Sequence, residues 1–245
     1  MSLPVPYPEH DLEKAGYGTG RDENSLRNLL CHMGRQLHEA GWLSGVSGSL
    51  SARLDATHLL ITPPNLAKGF LQPEQILKAA LADESETSSA EERLLHTACY
   101  RQRADLHGIL FATPPHALAL TLANISMRSC VLPEAVILLG LVPTAAYSAP
   151  YSAEQREAVR LLIAEHDALL IAHNGALTAG ADLWQAFLRM EVLEHTARVL
   201  HHTAQLAPIP TLPPHEVARL LTIRQQRGYW RQGDAARFCE MCGVC

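Results

Sequence analysis

"EERLLHTACYRQRADLHGILFATPPHALAL", residues 91–120, changes its period twice. It opens as a helix, with Ser88 or Ser89 available as a cap and Glu91 and Glu92 in the first turn, where the helix dipole favours acids. "HGILFA" then reads as a strand, and the chain turns into a second helix from Pro114. Helix, strand and helix in succession begin a layered sheet covered on both faces.

Working outward, "DENSLRNLLCHMGRQLHEAG" keeps Leu26, Leu29, Leu30, Met33 and Leu37 at helical spacing, with Asp22 or Asn24 as cap and Gly41 at the end. "GSLSARLDATHLLITPP" alternates with a period of two and predicts a hairpin closed at Asp55-Ala56. "QPEQILKAALAD" has a helical composition, but its short length after a hairpin favours a strand following a short turn. On the C-terminal side we expect a strand in "AVILL", an extended "LVPTAAY", a helix in "SAEQREAVRLLIAEH" and a buried central strand in "ALLIA". A long amphipathic helix follows in "ADLWQAFLRMEVLEHTARVLHHTAQLA", and a last one in "HEVARLLTIRQQRG". No segment repeats. The organisation expected is an arm over residues 1–20, one domain over 21–230 and a cysteine-bearing tail over 231–245.

The 245 residues are enough for a sizeable core, and 47% apolar with 18% charged residues describes a globular protein. The formal charge of -5 is interspersed and leaves no basic stripe, which argues against nucleic acid as a partner. Every apolar run is broken before membrane-spanning length, and the N-terminus has no leader pattern, so no membrane is expected and the location expected is cytoplasmic. Of six cysteines, Cys31, Cys99 and Cys130 sit singly among apolar residues and read as reduced core thiols. Cys239, Cys242 and Cys245 in "CEMCGVC" have thiolate-metal or redox spacing but provide only three ligands; the alternative is a mobile tail with exposed thiols.

"EAGWLSGVSGSLSARL", "LLITPP", "EERLLHTACY", "LLIAHNGALTAGADLWQAF" and "EVLEHTARVL", in that order and spacing, resemble the class II aldolase and adducin family over about residues 22–228. The resemblance implies an α/β fold, a three-layer α-β-α sandwich with a mainly antiparallel central sheet. It also implies assembly as a homo-oligomer, commonly a tetramer. Its enzymes are lyases, epimerases and dehydratases of phosphorylated sugars, which makes a small sugar-like molecule the ligand to expect.

Family enzymes hold a divalent metal, usually zinc, with an H-x-H pair at one strand end and a third histidine before a glycine. In register, those positions are Phe111, Thr113 and Asn174. Phe cannot coordinate, and neutral Thr and Asn oxygens are poor partners for zinc, so no metal and no cofactor is expected here. His116 and His173 lie nearby but out of register, and read as ordinary packed or surface residues.

The resemblance further implies a phosphate grip from a small-polar loop, here Ser47, Gly48 and Ser49, and from a second turn that has become Pro64-Asn65 in this chain; Asn65 and the nearby cation Lys68 complete the substrate-binding candidates. Two small residues usual at the start of the acidic helix have become Ala90 and Glu91, and a carboxylate there disfavours an anion. Glu92, four residues before His96, stands at the family's acid-base carboxylate. The readings open at this point are a lyase, epimerase or dehydratase that has lost its zinc and uses Glu92, a non-catalytic binding or scaffolding module of the same fold, and a thiolate metal or redox role for the tail.

Overall fold

The computed structural model describes residues 22–85, 91–127 and 129–245. The expected N-terminal arm, the helix caps at Ser88 and Ser89, and Ala90 lie outside the described residues. Helix α1 spans Glu23–Glu39, started by Asp22, whose carboxylate accepts from the Ser25 amide at 3.0 Å. The hairpin is β1 (Ser49–Arg53) and β2 (His58–Ile61), followed by two short 3-10 turns, Lys68–Phe70 and Pro73–Gln75, and β3 (Leu77–Ala80). Thus "QPEQILKAALAD" is a strand after a turn. Then come α2 (Glu91–Gln102), β4 (Gly108–Ala112), α3 (Pro115–Leu122), β5 (Thr144–Ala145), α4 (Ala153–Ile163), β6 (Ala168–Ile171), β7 (Gly175–Gly180) and α5 (Leu183–Ala204). Helices α6 (Pro214–Gln226) and α7 (Asp234–Cys242) close the chain.

The seven strands form one sheet in the order β3-β2-β1-β4-β7-β6-β5. Every neighbouring pair is antiparallel except β5 with β6, so the sheet is mainly antiparallel, as expected. Because successive side chains alternate faces, β1 and β4 feed two cores. Leu50, Ala52, Leu110 and Ala112 meet α1, α3 and α5 on one face. Ile109, Phe111, Leu177 and Ala179 meet α2 and α4 on the other. This is the three-layer arrangement.

Four expectations need correction. "AVILL" is a wide π-type helical turn, Ala135–Leu139, ended by Gly140 at φ 71°. A short apolar run between Pro and Gly carries no period that separates strand from helix, and here the segment is covered by α5 and α6. "ALLIA" is buried but lies next to the edge strand, with β4 at the centre. The tail is folded: α7 buries Phe238 against Val136, Val217 and Leu221. Finally, Cys130 is no isolated core thiol, since it is bonded to Cys242, while Cys239 is bonded to Cys245.

Candidate active site

The register of β1 on β4 places Ser49 opposite Phe111, so both side chains face α2. There the fully buried His96 bridges β1: its Nε2 lies 2.7 Å from the Ser49 hydroxyl and its Nδ1 2.6 Å from the Ser51 hydroxyl. Burial pushes its pKa down to about 3, so the ring is neutral. Tyr100 adds a hydrogen bond to Ser51 at 2.9 Å. Ser49 is therefore part of an internal polar seam.

One turn before His96 on the same helix is Glu92. Its side chain is 12% exposed, and its Oε1 faces the Nζ of the fully buried Lys68 at 3.7 Å. Lys68 is set there by the turn Lys68–Phe70, which lies against α1; a Cβ at Gly34 would run into the Lys68 carbonyl. The same ammonium donates to the Val46 carbonyl at 3.0 Å, tying the turn to the loop that carries Ser47 and Gly48. Burial raises the Glu92 pKa to about 7, and Lys68 offsets only part of that. Lys68 is lowered by burial, with Glu92 opposing. Glu92 Oε2 has no hydrogen-bond partner among the described residues.

Glu92 opens onto a cavity of about 370 Å³ walled by Thr62, Pro64, Lys78, Asp83, Ser85 and Arg93. This is within the usual range for small-ligand pockets. A larger groove of about 710 Å³, walled by Trp42, His116 and Trp184 among others, does not contain Glu92; Lys68 lines neither cavity and sits behind Glu92. The chemistry points to the smaller one.

The sequence-singled residues do not all meet. Glu92 and Lys68 come together, and Ser47 lies 3.4 Å from the Thr113 hydroxyl, which also donates to the Trp42 carbonyl at 3.3 Å. Gly48, at φ 83°, has Phe111 O 2.9 Å from where a Cβ would sit, so the loop passes against β4. Asn65 is an exposed turn residue at φ 58°, next to Pro64 of the cavity wall. Phe111 is buried, 6.3 Å edge-on to Tyr151, and its ring would lie 3.2 Å from a Cβ at Gly175. Asn174 sits in the β6–β7 turn with its Nδ2 buried and unpartnered among the described residues.

His173 lies in that turn at φ 59° and is exposed, a surface residue. His116 is held by Glu194 at 2.8 Å, whose carboxylate also accepts the His116 and Ala117 amides and so caps α3. Tyr151 escaped notice: its φ of 60° is rare for a bulky residue. Burial and the charges of Glu92 and Glu91 raise its hydroxyl's pKa.

A family model for the class II aldolase and adducin N-terminal domain matches residues 28–201. The chain belongs to that family. The 3-oxo-tetronate 4-phosphate decarboxylase of Cupriavidus necator is 29% identical over 215 residues, covering 84% of this chain and 98% of that one. The methylthioribulose-1-phosphate dehydratase of Methylococcus capsulatus is 30% identical over 182 residues, covering 68% and 88%. Among solved structures, YgbL from Escherichia coli superposes with a TM-score of 0.74 at 28% identity, covering 81% of this chain and 98% of that one. The fuculose-1-phosphate aldolase of Thermus thermophilus superposes at 0.68 and 26%, covering 76% and 98%.

Proposed function

We propose that the chain is a lyase-type enzyme for a small sugar-like hydroxy-carbonyl compound, with Glu92 as its acid-base group and without the family's zinc. The observation that carries the proposal is a carboxyl with a pKa of about 7 and one unpartnered oxygen, at the wall of a substrate-sized cavity. Such a group changes its proton near neutral pH, where general acid-base catalysis is most effective. The decarboxylase and dehydratase relatives support a lyase, and their names place 3-oxo sugar acids and ketose phosphates first among compounds to try.

The donor set does not fit zinc. Phe111 offers no lone pair, and its ring packs against Tyr151 and Gly175. Thr113 is held by Trp42 and Ser47, and Asn174 stands where imidazole would be needed. In this reading the negative charge that develops on an enolate oxygen is balanced by the buried Lys68 ammonium, which already lies beside Glu92. Glu91 opens α2 and the Ser49 hydroxyl is engaged by His96, which weakens the phosphate grip implied by the resemblance. Assembly as a homo-oligomer, a tetramer by resemblance, belongs to the same reading, and light scattering measures it.

The test is a screen of chelator-treated wild type and Glu92→Gln against 3-oxo sugar acids and ketose phosphates, followed by calorimetry with any hit. Turnover by wild type that falls about 10²–10⁴-fold in Glu92→Gln is expected. Equal rates in both proteins, or rates that require added zinc, overturn the proposal. The buried Phe111 favours a second reading, a binding module without catalysis; ligand binding with no turnover in either protein selects it.

A further inference from the structure

We infer that Cys130, Cys239, Cys242 and Cys245 form a single four-thiolate site that takes a zinc-class divalent ion when the chain is reduced. The tail alone offers three cysteines at two-residue gaps; the fold brings the fourth. Cys130, 112 residues before Cys242 in sequence, stands with its Cα 6.2 Å from it. Cys239 and Cys242 are one turn apart on α7, and so share a face. Gly243, at φ 66°, then reverses the chain and returns Cys245 to within 4.8 Å of Cys239, Cα to Cα. The shared turn of α7 thus links the two pairs.

Its surroundings suit a structural metal. Val136, Val217, Leu221 and Phe238 are buried beside Cys130, and Trp230, Cys242 and Val244 pack on them, giving an apolar wall behind the sulfurs. Four soft thiolates form the donor set that closed tetrahedral zinc sites use. Helix α7 is only 9 residues long and buries Asp234 and Phe238 alone, so it depends on ties to the rest of the chain. A metal bound by Cys130 would join it to the segment that leads into the π-type turn.

In this structure the sulfurs are joined in pairs, and among the described residues no group of three or more His, Cys, Asp and Glu side chains is in metal-holding geometry. The site therefore belongs to the reduced protein. A dithiol reductant gives each disulfide two electrons and two protons, and the resulting thiols release their protons as the ion binds. Nothing in this step involves Glu92.

The full chain, purified anaerobically with a dithiol reductant, is assayed for zinc by elemental analysis and, after cobalt substitution, for the visible absorption of tetrahedral thiolate cobalt. We expect about one zinc per chain. Cys245→Ser, at an exposed position, and Cys130→Ser should each weaken zinc binding by more than roughly 100-fold, while Cys31→Ser keeps it. Circular dichroism of Cys245→Ser checks that the fold is retained. A wild type without zinc, zinc retained in Cys130→Ser or Cys245→Ser, or iron with acid-labile sulfide in its place, each overturns the assignment.

Discussion

Glu92 and Asp167 are both buried carboxylates, and the protein drives their acidities in opposite directions. Asp167, fully buried just before β6, is met by Arg103 at 2.7 Å, Arg231 at 2.8 Å, Arg189 at 2.9 Å and Arg224 at 4.0 Å. Burial alone would raise its pKa, but the guanidinium charges overcome that and hold it at about 2. Among the described residues Glu92 has a single ammonium beside it, at 3.7 Å, and burial wins, leaving it at about 7. One carboxylate is surrounded by more positive charge than it needs, and the other by less. The first arrangement fixes a structure; the second leaves a proton free to move at neutral pH.

The sharpest break of the comparison is Asp167→Ala. It leaves several buried guanidinium groups, from α5, α6 and the loops after α2 and before α7, facing one another. We expect a loss of about 3–5 kcal/mol in urea unfolding. A loss under about 1 kcal/mol would mean that the arginines find other partners, and that Asp167 is no anchor. The linkage is present above the unfolded carboxylate pKa near 3.8 and disappears as pH falls through about 2. Acid unfolding of the wild type should therefore begin only below pH 4 at this site.

This anchor was invisible in the sequence, whereas much of the frame around it was legible. Helix α1, the β1–β2 hairpin, α2, β4 and α5 follow from local period and capping residues, which neighbours along the chain determine. Asp167 and its arginines lie at separations such as 64 residues, for Arg103 and for Arg231, and no local pattern announces which of many arginines will converge. The same holds for Lys68 beside Glu92 and Cys130 beside Cys242. Glu92 itself could be placed because its distance from His96 is fixed by one helix. Ser49 was legible only in part: its loop position suggested an open donor, and the strand register turns its hydroxyl onto His96.

Glu92→Gln should have the opposite stability signature. With a folded pKa of about 7 against an ordinary value of 4.5, the folded state keeps a proton that the unfolded state has lost between those limits. Wild-type stability therefore falls as pH rises from 4.5 to 7, by on the order of 3 kcal/mol at most, and is flat above. Gln does not titrate. Thermal melts of both proteins should diverge across that window, with Gln gaining on wild type as pH rises. Parallel curves would show that Glu92 ionises like an exposed acid, and the acid-base role would go with it.

Lys68→Met is the smallest and most selective change, because it alters the charge beside Glu92 without removing the titrating group. The ammonium lowers the Glu92 pKa; without it the carboxyl keeps its proton to still higher pH. Any limb of a pH–rate profile that belongs to Glu92 should move alkaline, whether Glu92 acts as base on the rising limb or as acid on the falling one. A purely structural Lys68 would lower the rate at every pH and leave the limbs in place. If Lys68 also balances charge on an enolate, kcat falls more than KM rises, since that interaction strengthens in the transition state. A limb that stays fixed while kcat falls would separate the two roles and leave Glu92 answering to burial alone.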